Sequence, residues 1–250
     1  LVITVSGQMK GTVSVTANKT IIGAPGALLE GSLKIANTQN VIVQNLTVRG
    51  YNCSDNAVCK DGADAIGVTN SHHLWFDHLA VSDGSDGNLD ITKGSDFVTV
   101  SWCKFSYSGT GRDHRFSNLI GSDDGDVGDR GKLNVTFHHN WWAANVDQRM
   151  PRTRFGKIHV FNNLYTAAGN SSAIASGIES RLLVENNVFS GIAGPHAVRD
   201  GGQLVASNNV YENTSGSRTA AGTAFTPPYA YQLDATATLA AAIRGGAGPR

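Results

Sequence analysis

Apolar and polar residues along this chain recur in an eight-residue unit and not in a helical rhythm. The unit reads VIVQNLTV from Val41, LWFDHLAV from Leu74, VTVSWCKF from Val98 and VTFHHNWW from Val135. It returns as IHVFNNLY from Ile158, LLVENNVF from Leu182 and LVASNNVY from Leu204, so that successive starts lie 33, 24, 37, 23, 24 and 22 residues apart. Each unit opens on alternating apolar residues, the period of a strand with one buried face. A polar or aromatic position follows, then more apolar residues. In the last three units the polar pair is Asn162-Asn163, Asn186-Asn187 and Asn208-Asn209. Asparagine tolerates left-handed backbone and bonds its own main chain, which suits a sharp bend between strands. Stacked in successive coils, such side chains would form a ladder.

A second short apolar run recurs between the units, as in Ala65-Ile66-Gly67-Val68, Leu89-Asp90-Ile91 and Leu119-Ile120-Gly121. Two or three strands per base period of 22–24 residues, with no helical pattern between, predict an all-β parallel β-helix. A β-propeller blade needs about 40 residues or more, which the base period does not provide. The expected organisation is one domain over residues 1–250, with a repeat core from about 20 to 211 and a tail from about 214 to 250 without the repeat. Within that tail Leu239 to Ile243 reads as a short helix packed outside the solenoid. The two longer gaps hold Cys53 to Asp64 and Ser106 to Gly131, insertions that in repeat proteins build a binding face.

Composition narrows the classes. Hydrophobic residues are 40% of the 250, enough for a core, and charged residues only 16%, which excludes a disordered chain. Twenty basic residues balance twenty acidic ones, so charge offers no ground for a nucleic-acid partner. No apolar stretch approaches the roughly 18 residues of a membrane span, and nothing points to an oligomer, so a monomer is expected. The chain opens on the strand-like Leu1-Val-Ile-Thr-Val without a leader pattern and reads as a mature or trimmed product. Cys53 and Cys59, six apart in a polar segment, suit a loop-closing disulfide, while Cys103 in an apolar run reads as a buried thiol.

Four polar groups carry candidate chemistry. Asp61, Asp64, Asp83, Asp86 and Asp90 form the first. If Leu89 points into the core, Asp90 points out, and Asp64 opens the equivalent strand one coil earlier, about 4.8 Å away. Asp64, Asp86 and Asp90 would then converge on one exterior face as hard oxygen ligands suited to calcium; the alternative is aspartates filling turns. The second is Gln148-Arg-Met-Pro-Arg-Thr-Arg-Phe-Gly156, either a solvated basic strand or a clamp for an anionic polymer, since guanidinium matches carboxylate in a bidentate fork. Trp75-Phe76-Asp77-His78 reads as a buried aromatic stack with a structural Asp–His pair. Asp123-Asp124-Gly-Asp126 reads as turn residues, although paired carboxylates also serve glycosidases.

In order along the chain, Asp61-Gly-Ala-Asp64-Ala-Ile, Leu74-Trp-Phe-Asp-His78, Asp86-Gly-Asn-Leu-Asp90, Asn118-Leu-Ile-Gly121, Val135-Thr-Phe-His-His-Asn140 and Arg149-Met-Pro-Arg-Thr-Arg154-Phe-Gly-Lys-Ile-His-Val-Phe-Asn-Asn resemble the pectate lyase family, which also holds pectin lyases and related pollen allergens. The similarity runs from about Thr20 to Asn209. It implies a right-handed, single-stranded parallel β-helix, a secreted protein, and β-elimination on a polygalacturonate or pectin substrate. By the family pattern Asp64, Asp86 and Asp90 match the calcium-binding carboxylates. Arg149 matches the catalytic base and Arg154 a substrate-binding arginine. The family often places a substrate-binding lysine five residues before the glycine of the L-x-G segment; here that position is Phe116, and Arg115 or Arg112 is the nearest charge. Because a free guanidinium titrates above about 12, an arginine base implies an alkaline optimum. The competing readings are a calcium-independent pectin lyase acting on methyl-esterified pectin, a β-helix polygalacturonase, and a non-catalytic carbohydrate-binding protein of the same fold.

Overall fold

The computed structural model describes residues 1–50, 64–109 and 114–250. The chain winds as a right-handed parallel β-helix in which every paired strand within the two sheets is parallel. A nine-stranded first face includes Gln39–Gln44, His72–Asp77, Asp96–Ser101, Asn134–His138, Lys157–Phe161, Arg181–Glu185 and Gln203–Ser207. The second sheet bends at the long strand Leu28–Ala36 into two further faces. The second face stacks Thr47–Arg49, Ala80–Ser82, Lys104–Ser106, Trp141–Trp142, Leu164–Tyr165, Val188–Ser190 and Val210–Glu212. The third stacks Ile66–Thr69, Leu89–Thr92, Leu119–Ile120, Arg152–Thr153, Ile174–Ser176 and His196–Val198. The second apolar runs of the sequence are thus the third face.

The eight-residue unit spans the corner between the first two faces. Its fifth residue is left-handed in all seven coils: Asn45, His78, Trp102, His139, Asn162, Asn186 and Asn208 have φ between 52° and 58°. Four of these are asparagine, for which the conformation costs least. The other three stack instead, with ring centroids 5.7 Å apart for His78–Trp102 and 4.5 Å for Trp102–His139.

The ladder itself belongs to the sixth residue, which points inward. Asn140 Nδ2 donates to Asn163 Oδ1 (3.1 Å), Asn163 Nδ2 to Asn187 Oδ1 (2.9 Å) and Asn187 Nδ2 to Asn209 Oδ1 (2.9 Å). The eighth residue forms a second internal stack. Phe105, Trp142, Tyr165, Phe189 and Tyr211 follow one another at 5.6, 4.6, 4.4 and 5.3 Å, close to the rise between coils.

The tail packs outside the solenoid, as expected. Its helix is longer than the sequence suggested, Thr236–Gly246, because only Leu239 and Ile243 carry the apolar signal. Both are fully buried against Leu164 and Val188. Before the helix, Tyr229 OH meets Thr136 Oγ1 (2.6 Å) and His159 Nδ1 (2.9 Å), and Asp234 meets His139 Nε2 (3.0 Å). Cys103 is a buried free thiol, whose ionisation burial pushes further up; the Cys53–Cys59 expectation lies outside the described residues. No helix among the described residues is long and apolar enough to cross a membrane.

The Asp–His reading holds: Asp77 accepts from Ser101 Oγ (2.6 Å) and pairs with His78 Nδ1 (2.8 Å). The buried stack does not. Phe76 is internal, but Trp75 is 37% exposed, since alternate strand residues face opposite sides. Asp123 and Asp126 are turn residues, accepting from Gly125 N–H (2.8 Å) and Ser122 Oγ (2.6 Å).

Candidate active site

The third face brings the acidic and basic motifs together because parallel register stacks equivalent residues coil on coil. Gly67 lies beside Asp90, and Leu119 beside Arg152. Asp64 precedes Ile66, and Asp86-Gly87 precedes Leu89, at the entrance to this face. A methyl group placed on Gly87 would fall 2.6 Å from Asp90 Oδ1 and 3.0 Å from Asp64 Oδ1. The bare glycine therefore opens a cradle onto which two carboxylates from adjacent coils converge.

That convergence is electrostatically unfavourable for the protein alone. Asp64 Oδ1 is buried without a hydrogen-bond partner. Burial raises the Asp64 carboxyl far above its ordinary range, and the charges of Asp90 and Asp86 raise it further, against the pull of Arg149. Asp90 is also raised by burial, although its Oδ1 accepts the Leu119 N–H at 2.9 Å and Arg149 opposes the rise. Asp86 behaves differently. It is about half exposed, its Oδ1 lies 3.2 Å from His114 Nε2, and that contact lowers its carboxyl below the ordinary value. All three expected aspartates thus reach one region, but Asp86 is turned toward His114. Among the described residues no three acidic, histidine or cysteine side chains meet at metal-ligating spacing.

The arginine motif lies two coils on. Arg149 is left-handed (φ 59°), an uncommon state for a side chain without glycine's freedom, and precedes a cis Met150–Pro151 bond. Its guanidinium carbon sits 4.4 Å over the Phe116 ring, and its Nε is buried without a hydrogen-bond partner. Arg154 is committed to the turn: Nε pairs with Asp124, and Nη1 donates to the carbonyls of Gly121 (3.0 Å) and Ser122 (3.2 Å). Arg152 is partly buried, and burial together with Arg154 and Arg149 holds its guanidinium below the ordinary value, with a smaller contribution from Arg199. Arg115 donates from Nε to the Asn145 carbonyl (2.8 Å). Arg112 lies outside the described residues.

His114, which engages Asp86, and Arg199, which extends the basic strip, escaped the sequence reading. Neither falls in a repeated motif; His114 lies within the longest insertion, where spacing carries no register.

Fold and site together define the class: a right-handed parallel β-helix whose third face carries a cradle of buried carboxylates beside a strip of arginines. A family model described as pectate lyase matches residues 4–248, and the chain belongs to the pectate lyase family. It is 36% identical to pectate lyase A of Aspergillus niger, over 99% of this chain and 75% of that protein. It is 41% identical to the pectate trisaccharide-lyase of Thermotoga maritima over 65% of this chain, but spans only 44% of that protein's length. Among solved structures it resembles a pectate lyase of Bacillus sp. N165 in complex with trigalacturonate. The identity there is 26% and the TM-score 0.82, covering 99% of this chain and 85% of that one. The cedar pollen allergen jun a 1 matches at 26% identity and a TM-score of 0.80, over 98% and 78% of the two chains.

Proposed function

We propose that this chain is a secreted, monomeric, calcium-dependent pectate lyase that cleaves α-1,4-linked polygalacturonate by β-elimination. The observation that carries this reading is the buried, unpartnered Asp64 oxygen facing Asp90 over Gly87, with the Arg149 guanidinium nearby. Two carboxylates that suffer from burial and from one another are a donor set for a hard divalent cation. Asp64, Asp86 and Asp90 would hold it. When bound, calcium supplies positive charge beside the substrate carboxylate, offsetting the negative charge that develops there as C5 loses its proton.

Arg149 acts as the base. It takes the proton from C5, the electron pair left behind forms the C4–C5 double bond, and the C4–O4 bond breaks. The departing O4 takes up a proton from solvent, no water is added across the new double bond, and a 4,5-unsaturated oligogalacturonide results. Arginine chemistry places the optimum on the alkaline side. Arg154, held in its turn by Asp124, and Arg115 offer the guanidinium donors outside those contacts to substrate carboxylates, with Arg152 and Arg199 adding to the positive field along the polymer.

The test is ultraviolet absorbance of the unsaturated uronate during incubation with polygalacturonate at alkaline pH, with calcium and then with a chelator. A rise that the chelator abolishes is expected. Phe116, at a position where the family often has lysine, favours a second reading, a pectin lyase. A chelator-insensitive rise on methyl-esterified pectin alone would replace the first reading with the second.

A further inference from the structure

We infer that Phe116 is a positioning residue for Arg149: its ring face carries the guanidinium and keeps it out of ion pairs with Asp64, Asp86 and Asp90. The inference rests on the lyase reading above. An arginine lodged near three aspartates would ordinarily close onto one of them in a charge-assisted, bidentate pair. Arg149 does not. The acids are within the same cluster, since the Phe116 ring that carries Arg149 also packs on His114, which reaches Asp86 at 3.2 Å. Yet the Arg149 guanidinium lies 4.4 Å over Phe116 and makes no ion pair with any described carboxylate.

An aromatic face suits that task, since it attracts a cation through its quadrupole without occupying any N–H donor. The donors stay available for substrate, and the carboxylates for a cation. Phe116 is itself held through its main chain and through its ring. Its backbone bridges Gln148, one residue before Arg149, so ring and guanidinium arise on adjacent coils. The Phe116 carbonyl accepts the Tyr107 hydroxyl at 2.7 Å. The His114 ring packs against it with centroids 3.9 Å apart, while His114 Nε2 reaches Asp86 at 3.2 Å. Phe116 thus stands between the imidazole that engages the acid and the guanidinium that must stay off it.

The experiment compares Phe116→Leu with Phe116→Tyr on polygalacturonate, after thermal unfolding shows both variants folded. Leucine is expected to lower kcat by about tenfold while KM moves by less than about threefold; tyrosine, which keeps the ring face, is expected to retain kcat within about threefold. Calorimetric titration with calcium chloride supplies a readout apart from turnover. Phe116→Leu is expected to bind calcium several-fold more weakly, because the released guanidinium closes onto the aspartates. Adding Arg149→Ala to that variant is expected to restore the affinity. An active parent whose leucine variant keeps both kcat and calcium affinity would overturn the inference alone. A tyrosine variant that falls with leucine would overturn it too, showing plain packing at work. A parent without lyase activity would sink the functional reading, and this inference with it.

Discussion

Two buried polar arrays run through this solenoid, and they are finished to different degrees. At the first corner, Asn140, Asn163, Asn187 and Asn209 satisfy one another and the main chain: each Nδ2 also donates to a carbonyl of a preceding coil, at 2.9–3.0 Å. On the third face, Asp64 Oδ1 and Arg149 Nε are buried without partners, and two carboxylates face each other over a glycine. Native interiors rarely leave such groups unpaired, because desolvation without a hydrogen bond costs about 1–3 kcal/mol each. The satisfied array holds the coils in register. The unsatisfied one is the array on which the proposed cation and substrate site rests.

The sharpest way to break this comparison is to exchange the consequences. Arg149→Ala removes the proposed base and should lower kcat by roughly 10²–10⁴-fold, with the melting temperature moved little, since the lost contact with the Phe116 ring is offset by removing a buried, unpaired Nε. Asn163→Ala should do the reverse. Asn163 Nδ2 donates to Phe137 and Phe161 carbonyls as well as to Asn187, and its Oδ1 accepts from Asn140. Its loss strands several buried groups, so about 3 kcal/mol of stability should go while kcat per folded molecule stays. Denaturant titration and steady-state assay of both variants check the pair. An Asn163→Ala protein that lost kcat but no stability would put the ladder in the functional class.

Much of the fold was legible because a parallel β-helix repeats its evidence. Seven copies of one alternating unit gave strands, corner and period, and the corner asparagines stood where left-handed backbone asks for them. The sequence points to the asparagine pair and not to its inward member, because which of two adjacent asparagines turns inward depends on the corner geometry. The aspartates are legible from face parity together with the family resemblance. What stayed hidden was local and outside the repeat: the turn of Asp86 toward His114, the capture of Arg154 by Asp124, and the burial that lifts Asp64. Trp75 misled because an aromatic within a strand looks internal until parity is followed.

A smaller effect sharpens the contrast through pH. Asp64 and Asp90 are raised when folded, so the native state keeps protons that the unfolded chain releases. Stability without calcium should therefore fall as pH rises from the ordinary carboxylate range toward about 9, the value to which Asp64 is raised. The slope should be roughly 1 kcal/mol per pH unit where one such proton is at stake. Asp90→Asn should flatten the slope, Asn163→Ala should leave it unchanged, and calcium should stabilise more at alkaline than at acid pH. Denaturant unfolding across that range in chelator and in calcium measures all three. A slope of opposite sign would mean that the cradle is not the repulsive site described.

The smallest effect is expected where polar contacts face solvent. Asp234 pairs with His139 at the edge of the tail, and its side chain is 42% exposed. The strap around it is held mainly by other means. Asn186 Nδ2 donates to the Asp234 carbonyl at 2.9 Å, Asn162 Nδ2 to the Gln232 carbonyl at 3.0 Å, and Leu239 and Ile243 anchor the following helix in apolar burial. All of these survive Asp234→Ala. An exposed ion pair contributes up to about 1 kcal/mol, so the substitution should cost no more than that and leave kcat unchanged. In two of the three pairs the first asparagine, Asn162 or Asn186, thus holds the main chain of the tail with its side chain, while the second serves the core. A melting curve showing a loss near that of Asn163→Ala would mean that the ion pair, and not the asparagine contacts, fastens the tail.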